Sequence, residues 1–435
     1  MKHLRKYILV LFLVPATLLQ AQTKADSLTL SGILNVVMNN YPTLEKAAKE
    51  LDAANAKISL TKTAYLPDIN FSTSYNRIGP VSSITFAGKD LELYPANVYN
   101  ATISVNQNIY DFGKTAKNVA LDEKNKEMVQ LTTDQTKQQL SMVVMGNYYS
   151  ICFLQEAIQI KDDQLNTLNQ HLQFVEKKEA TGSATQYDIL TTKVRISVIE
   201  NQKTDLQTAL QVQICQLNSF LGKPQDNPLF LRQEVYVQDF IPTVDSLCNT
   251  AFANRNEMKI AHQKEEISHM RLNVIKVQNN PSLNFIANGG YKNGYFNADF
   301  EDTGKLNFVV GVGFKVPIFD ANRSKYMKAQ ANAYVDESQL ETEIIRRNIT
   351  NEVVESRANA EAALKKVKQS ELQLHQAMQA YKLAEVSYQA GTITNLDLLE
   401  SYTALSESKL ALFKTKIDYT VNLQKLKIAL GERIY

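Results

Sequence analysis

The sequence predicts an α+β membrane protein in which each chain gives four strands to a shared β-barrel that continues into a long α-helical coiled coil. Three observations predict this fold: the chain is an internal duplication, each repeat holds two short strands with one apolar face, and each repeat holds a very long helix. The 435 residues include only 15 Gly and 10 Pro. That is about half the usual share of these turn residues, which argues against a turn-dense β-sandwich.

The N-terminus predicts export. Three basic residues precede an apolar stretch at residues 7–19, and Ala21 follows it. This order is typical of a signal peptide, here residues 1–21, whose cleavage leaves a mature protomer of residues 22–435. The apolar stretch is shorter than the roughly 18 residues that a membrane-spanning helix needs.

The mature chain is predicted to consist of two repeats, at residues 27–222 and 243–431. Their turns, prolines and strands agree without gaps over long stretches, and Gly182 in the first repeat corresponds to Gly391 in the second. The absence of insertions suits long helices, because one extra residue would rotate the packing face.

Each repeat contains a long helical segment, near residues 115–180 and 323–390. These segments contain no proline and only one glycine, Gly146. At a rise of 1.5 Å per residue, a helix of about 66 residues is roughly 100 Å long. Apolar residues recur in steps of three and four, which predicts coiled-coil seams along the helices.

The predicted strands lie near residues 67–78, 98–110, 282–293 and 305–318, where apolar and polar residues alternate. Such segments of about ten residues suit strands that cross an outer membrane around a wet lumen. A half-buried strand in a soluble sandwich remains the alternative for any one of them. Four strands cannot close a barrel, and an open edge is not tolerated in lipid. We therefore expect several chains to share a barrel of 8, 12 or 16 strands.

Several functions are not indicated. With 47 Lys and Arg against 45 Asp and Glu, the chain offers no basic surface for nucleic acid. The run at residues 113–115 lacks the first glycine of a phosphate loop and predicts a helix start. His262 and His269 have no third ligand nearby, so no metal site is expected. No catalytic or cofactor-binding residues are identified, and we expect no enzyme activity. Residues 78–97 are expected to form an extracellular loop.

Several doubled segments carry a family resemblance: Asn39 to Leu44, Ala64 to Pro67, Val316 to Asp320, and the turns at residues 180–188 and 390–397. In their order, these segments resemble the TolC-like outer-membrane efflux channel family, the outer membrane factors. The similarity covers essentially all of residues 27–431.

The resemblance implies a homotrimer with a 12-stranded barrel in outer-membrane lipid and a 12-helix periplasmic tunnel. It also implies docking to a periplasmic adaptor, or membrane fusion protein, and to an inner-membrane pump. The function would be the exit duct of a tripartite efflux or type I secretion system, which conducts substrates passively. A periplasmic coiled-coil adaptor or a structural protein without a pore is the alternative. The transported substrate cannot be read from the sequence.

The resemblance also assigns a periplasmic aperture to four residues. Asp188 and Asp397 each stand three residues after a threonine where a return helix begins, which predicts helix-capping pairs. In the family, the positions of Asp397 and Glu400 ring the closed entrance, and the position of Tyr388 helps to hold it shut. Ile393 stands where the best-studied member has a basic residue, so no salt link through this position is implied.

The two turns that join the long helices to the return helices are predicted contacts for the adaptor. They contain Gly182 and Ser183 in the first repeat, and Gly391 and Thr392 in the second. A glycine without a side chain would allow another helical hairpin to approach closely. The same glycines are also expected to end helices with a positive φ angle.

Overall fold

The structure is a computed structural model that describes residues 28–86, 88–232, 244–297 and 301–434. The signal peptide predicted at residues 1–21 lies outside the described residues. The elements, in chain order, are α1 (Leu30–Asn40), α2 (Pro42–Lys62), β1 (Asp68–Arg77), β2 (Ser83–Phe86), β3 (Lys89–Glu92), β4 (Asn97–Tyr110), α3 (Lys114–Ala180), α4 (Gln186–Leu221), α5 (Val244–Asn254), α6 (Asn256–Val277), β5 (Ser282–Phe296), β6 (Asp302–Lys315), α7 (Arg323–Gln389) and α8 (Asn395–Ala429).

Each repeat starts with two short helices that a single extended residue separates. In the first repeat this residue is Tyr41, and Pro42 opens α2. A residue before proline is pushed out of the helical region, whereas proline suits the first helical turn because it has no N–H to satisfy. In the second repeat Arg255 takes the same role between α5 and α6, with extended backbone angles.

Four strands form one antiparallel sheet in the order β1-β4-β5-β6. The register aligns Ile69, Val105, Ala287 and Val310 in one row across the sheet. Because side chains alternate between the two faces of a strand, the rows on this face are largely apolar and those on the other face largely polar. β1 and β6 are the outer strands of this sheet.

Several features of the strand region differ from the sequence-based prediction. β5 extends to Phe296 rather than to residue 293, and β6 begins at Asp302 rather than at residue 305. β6 ends at Lys315, before the predicted end of the strand at residue 318. Lys315 pairs with Ser282, the first residue of β5, and Pro317 has no N–H to continue the ladder. In addition, the segment predicted only as a loop at residues 78–97 contains the β2–β3 hairpin.

The long helices α3 and α7 each have 67 residues, which corresponds to about 100 Å. The return helices α4 and α8, with 36 and 35 residues, pack against the half of each long helix that lies nearer the turn. Within the described residues, none of the helices combines the length and apolarity that crossing a membrane requires. The two helical hairpins, α3–α4 and α7–α8, meet near their turns in a buried cluster that contains Leu168, Ile199, Leu399, Tyr402 and Leu405.

The return helices both end in a glycine with a positive φ angle, Gly222 at 67° and Gly431 at 83°. The space around the two glycines differs. A Cβ atom on Gly222 would meet nothing within 4 Å, whereas one on Gly431 would lie 2.8 Å from backbone atoms of Arg255 and Asn254. Gly431 therefore allows α8 to pack closely against the start of α6.

We expect Gly431→Ala to destabilise the protein more than Gly222→Ala. Both substitutions force alanine into a left-handed conformation at a cost of about 1 kcal/mol, and only the first adds a backbone clash. Denaturant unfolding of the two variants in detergent measures the difference. Equal losses would contradict the close approach at Gly431.

Candidate functional site

The far end of the helices from the sheet, which we call the tip, is built from the two turns between long and return helices. Gly182 follows the end of α3 with a φ angle of 74°, and Gly391 follows the end of α7 with a φ angle of 76°. In the first turn the N–H of Ser183 donates to the carbonyl of Lys178 at 2.8 Å, which with Gly182 makes a Schellman cap. The second turn has the same geometry. A Cβ atom on either glycine would meet nothing within 4 Å, so both turns are open to the outside.

Each return helix begins with a capping box, as the sequence predicts. The N–H of Thr394 donates to the Asp397 carboxylate at 2.9 Å, and the N–H of Asp397 donates to the Thr394 hydroxyl at 3.2 Å. Thr185 and Asp188 repeat these contacts with the same distances of 2.9 and 3.2 Å. The hydrogen bonds from the Thr394 side chain and backbone hold the pKa of Asp397 below its ordinary value. Its carboxylate is therefore charged at neutral pH.

Tyr388, in the last turn of α7, packs against α3 of the other hairpin. Its buried ring lies 5.4 Å from the His171 ring and 6.3 Å from the Phe174 ring, measured between centroids. The ammonium group of Lys178 lies 4.7 Å from the centre of the Tyr388 ring and donates to the Tyr388 carbonyl at 3.4 Å. Burial and the nearby charge of Asp188 raise the pKa of Tyr388.

A second polar contact between the hairpins involves Asn395, the first residue of α8. Its side chain is buried, with an exposed fraction of 3%. Its Nδ2 group donates to the carbonyl of Asp188 and to the hydroxyl of Thr192, both at 3.2 Å. Its Oδ1 atom lies 2.6 Å from Nε2 of His171, so this nitrogen donates. Asn395 thus bonds to both helices of the first hairpin.

A cavity of about 200 Å³ lies between α3, α7 and α8, beside the contacts of Tyr388 and His171. Aromatic rings form much of its wall, including those of Phe174, Tyr381, Tyr388 and Tyr402. Burial, with the charge of Glu385 and the neighbouring Tyr402, raises the pKa of Tyr381 to about 12. The cavity therefore lies at the junction of the two hairpins, where His171 and Tyr388 also form part of its wall.

The structure brings only some of the sequence-predicted aperture residues together. Asp188 and Tyr388 both lie at the junction, where Asn395 donates to the Asp188 carbonyl at 3.2 Å and Lys178 donates to the Tyr388 carbonyl at 3.4 Å. Asp397 and Glu400 instead lie exposed at the start of α8, and Ile393 is half-buried.

Sequence reasoning missed His171, Lys178 and Asn395. The sequence contains one signal for Asn395, which is a difference between the repeats. The first repeat has Gln186 at the position that Asn395 occupies in the second repeat. Among the residues that the structure describes, no group of three or more His, Cys, Asp or Glu side chains is placed to hold a metal ion.

Together, these features define a class of protein. It is the protomer of a channel that has strands at one end and helical hairpins at the other. The family profile described as outer membrane efflux protein matches residues 33–223 and 247–432. The chain belongs to this family, which confirms the resemblance seen in the sequence and favours a channel over an adaptor.

Individual relatives are distant but extend over most of the chain. Outer membrane protein TolC of Escherichia coli is 20% identical over 90% of this chain and 79% of its own. Alkaline protease secretion protein AprF of Pseudomonas aeruginosa is 22% identical over 97% of this chain and 88% of its own. The crystal structure of CusC superposes with a TM-score of 0.77 at 18% identity, over 93% of this chain and 92% of that one.

Proposed function

We propose that three copies of this chain form the outer-membrane exit duct of a tripartite efflux or type I secretion system. Each protomer gives four strands to a 12-stranded barrel, and the helical hairpins form a periplasmic tunnel. Substrates pass through this tunnel and barrel from the periplasm to the exterior, and the duct itself supplies no energy for their transport. Two relatives are named as an outer membrane protein, TolC, and as a secretion protein, AprF, and both names fit this role.

The single observation that carries the proposal is the sheet with one apolar face and two unpaired edges. β1 and β6 are each paired on one side only, and unpaired backbone groups are not tolerated in lipid. Pairing β6 of one copy with β1 of the next removes every edge.

The helices fit the same arrangement. Exposed apolar side chains follow one face of α4 and one face of α7 near the tip; they are Tyr187, Leu190 and Val194 on α4, and Leu383 and Val386 on α7. Neighbouring copies that meet through these faces would bury both stripes.

Fractionation and bilayer recording test the proposed function together. We expect the mature protein in the outer-membrane fraction, migrating at the size of a trimer in mild detergent, and forming channels in planar lipid bilayers. A water-soluble monomer that forms no channels would refute the proposal.

We further propose that Asp397 and Glu400 form an acidic constriction at the tip of the trimer. Both side chains are exposed at the start of α8, and crowded carboxylates concentrate negative potential in a narrow opening. The constriction would favour cations and could bind divalent ions. Tyr388 and Asp188, at the junction behind it, would help to keep it closed.

We expect the double variant Asp397→Asn/Glu400→Gln to lose most of its cation selectivity, because it removes the charge and keeps the side-chain size. The measurement is the reversal potential across a planar bilayer with a salt gradient. Asp205→Asn, an exposed carboxylate about five turns along α4, serves as the control and should keep the selectivity. Unchanged selectivity in the double variant would place the selective charges elsewhere.

We also propose that the two turns contact a periplasmic adaptor, through Gly182 and Ser183 in one hairpin and Gly391 and Thr392 in the other. The support is that both glycines have free space where a side chain would stand. An inner-membrane pump would then reach the channel through the adaptor. Site-specific crosslinking from Ser183 and Thr392 tests this contact, and crosslinks confined to the strand end would contradict it.

A further inference from the structure

We propose that Asn395 is a positioning residue that holds the two hairpins of one protomer together when the tip is closed. The inference rests on the proposed function, because it assumes that the channel opens by separation of these hairpins. We call the hydrogen bonds of Asn395 to the other hairpin the latch. They would hold the hairpins together at an aperture where Ile393 cannot form a salt bridge, because its side chain is uncharged.

The first support is the number of bonds that Asn395 makes across the junction. Its amide nitrogen is within hydrogen-bond distance of the Asp188 carbonyl at 3.2 Å and of the Thr191 and Thr192 hydroxyls at 3.4 and 3.2 Å. Its amide oxygen accepts from His171 at 2.6 Å. All four partners belong to the α3–α4 hairpin, whereas Asn395 belongs to α8.

The second support is burial. Asn395 is 3% exposed and Thr192 is fully buried. A buried amide is costly to leave unpaired, so the amide favours the arrangement in which the hairpins touch. The capping boxes do not have this effect, because the bonds between Thr394 and Asp397 stay within α8 and survive any movement of the hairpin as a body.

The third support is a comparison of the two repeats. Gln186 occupies the position in α4 that Asn395 occupies in α8, the first helical residue after the capping threonine. Gln186 is exposed, and its amide donates to Glu179 of its own hairpin at 2.9 Å. The duplication therefore placed an amide at both helix starts, and only that of Asn395 reaches across the junction.

A second contact lies at the same level and acts in the same direction. Lys178 of α3 lies above the Tyr388 ring and donates to the Tyr388 carbonyl at the end of α7. Lys178 makes one long hydrogen bond across the junction, at 3.4 Å, whereas Asn395 is within hydrogen-bond distance of four partners. The 200 Å³ cavity beside it shows that apolar packing does not fill the junction completely at this level.

The test is the open probability of single channels in planar bilayers. We expect Asn395→Ala to shift the equilibrium toward the open state by about tenfold to a hundredfold, the range that corresponds to losing a buried hydrogen-bond set. Thr192→Val, which keeps the shape and removes one acceptor, should give a smaller shift in the same direction. The double variant should exceed Asn395→Ala only slightly, because both changes break the same bond.

Gln186→Ala is the matched control, because it removes an amide from the equivalent position of the other repeat. It should leave the open probability unchanged. Trimer migration in detergent must be the same for all variants, which separates a latch from a general folding defect, and Thr192→Val remains informative if Asn395→Ala assembles poorly. If the wild type forms channels and Asn395→Ala and Thr192→Val behave like Gln186→Ala, the latch is refuted and the channel function stands. If the wild type forms no channels, the proposed function itself fails.

Discussion

Val310→Lys is expected to prevent assembly of the trimer in the outer membrane, and this is the largest effect that we expect of any single substitution. Val310 lies near the middle of β6, in the apolar row with Ala287, Val105 and Ile69. In the proposed barrel this face meets lipid. A lysine at the bilayer midplane costs about 2–4 kcal/mol, and the trimer would contain three such lysines. Outer-membrane fractionation and migration in mild detergent measure the loss.

The neighbouring residue offers a matched control. Val309 lies on the other face of β6, in a row with Asn288, Ser104 and Asn70, which in the proposed barrel lines the wet lumen. We expect Val309→Lys to assemble normally, because its ammonium group stays in water. If the two lysine variants assembled equally well, the apolar face would not be in contact with lipid and the barrel would be wrong.

Tyr148→Ala is expected to cause the largest loss of stability in the helical part. Tyr148 of α3 is fully buried in the cluster that joins α1, α3 and α4. Its hydroxyl donates to the carbonyl of Arg232, beside the bridge between Leu28 and Leu231. Removing a buried aromatic ring costs about 3–5 kcal/mol. Denaturant unfolding in detergent measures this loss.

Tyr148→Phe separates the ring from the hydroxyl. It keeps the packing and removes only the hydrogen bond, so the expected loss is about 1 kcal/mol. If Tyr148→Phe were as damaging as Tyr148→Ala, the hydroxyl rather than the packing would hold the cluster together. If neither variant were destabilised, the cluster would not be part of the stable core.

The capping boxes and the glycine turns could be predicted from the sequence because their bonds are local. Thr394 contacts Asp397 three residues away, and the preference of glycine for a positive φ angle at Gly391 needs no distant partner. The break at Pro42 is local for the same reason. The β2–β3 hairpin could not be predicted, because strands of four residues such as Ser83–Phe86 are too short to show a clear alternating pattern.

The contacts of Asn395 could not be predicted, because its partner His171 is 224 residues away in the chain. Asn395 and Gln186 stand between the same capping residues, a threonine one position before and an aspartate two positions after, and yet Gln186 stays exposed. The end of β6 at Lys315 is similar, since it depends on where β5 begins.

By itself, the sequence determined the duplication, the lengths of the helices and the two-faced strands, because periodicity and capping act between residues that are close in the chain. The tertiary structure alone decided which side chains of the two hairpins meet at the tip. Those contacts depend on how helices about 100 Å long are rotated about their axes and shifted along them relative to one another. A local pattern does not contain that information.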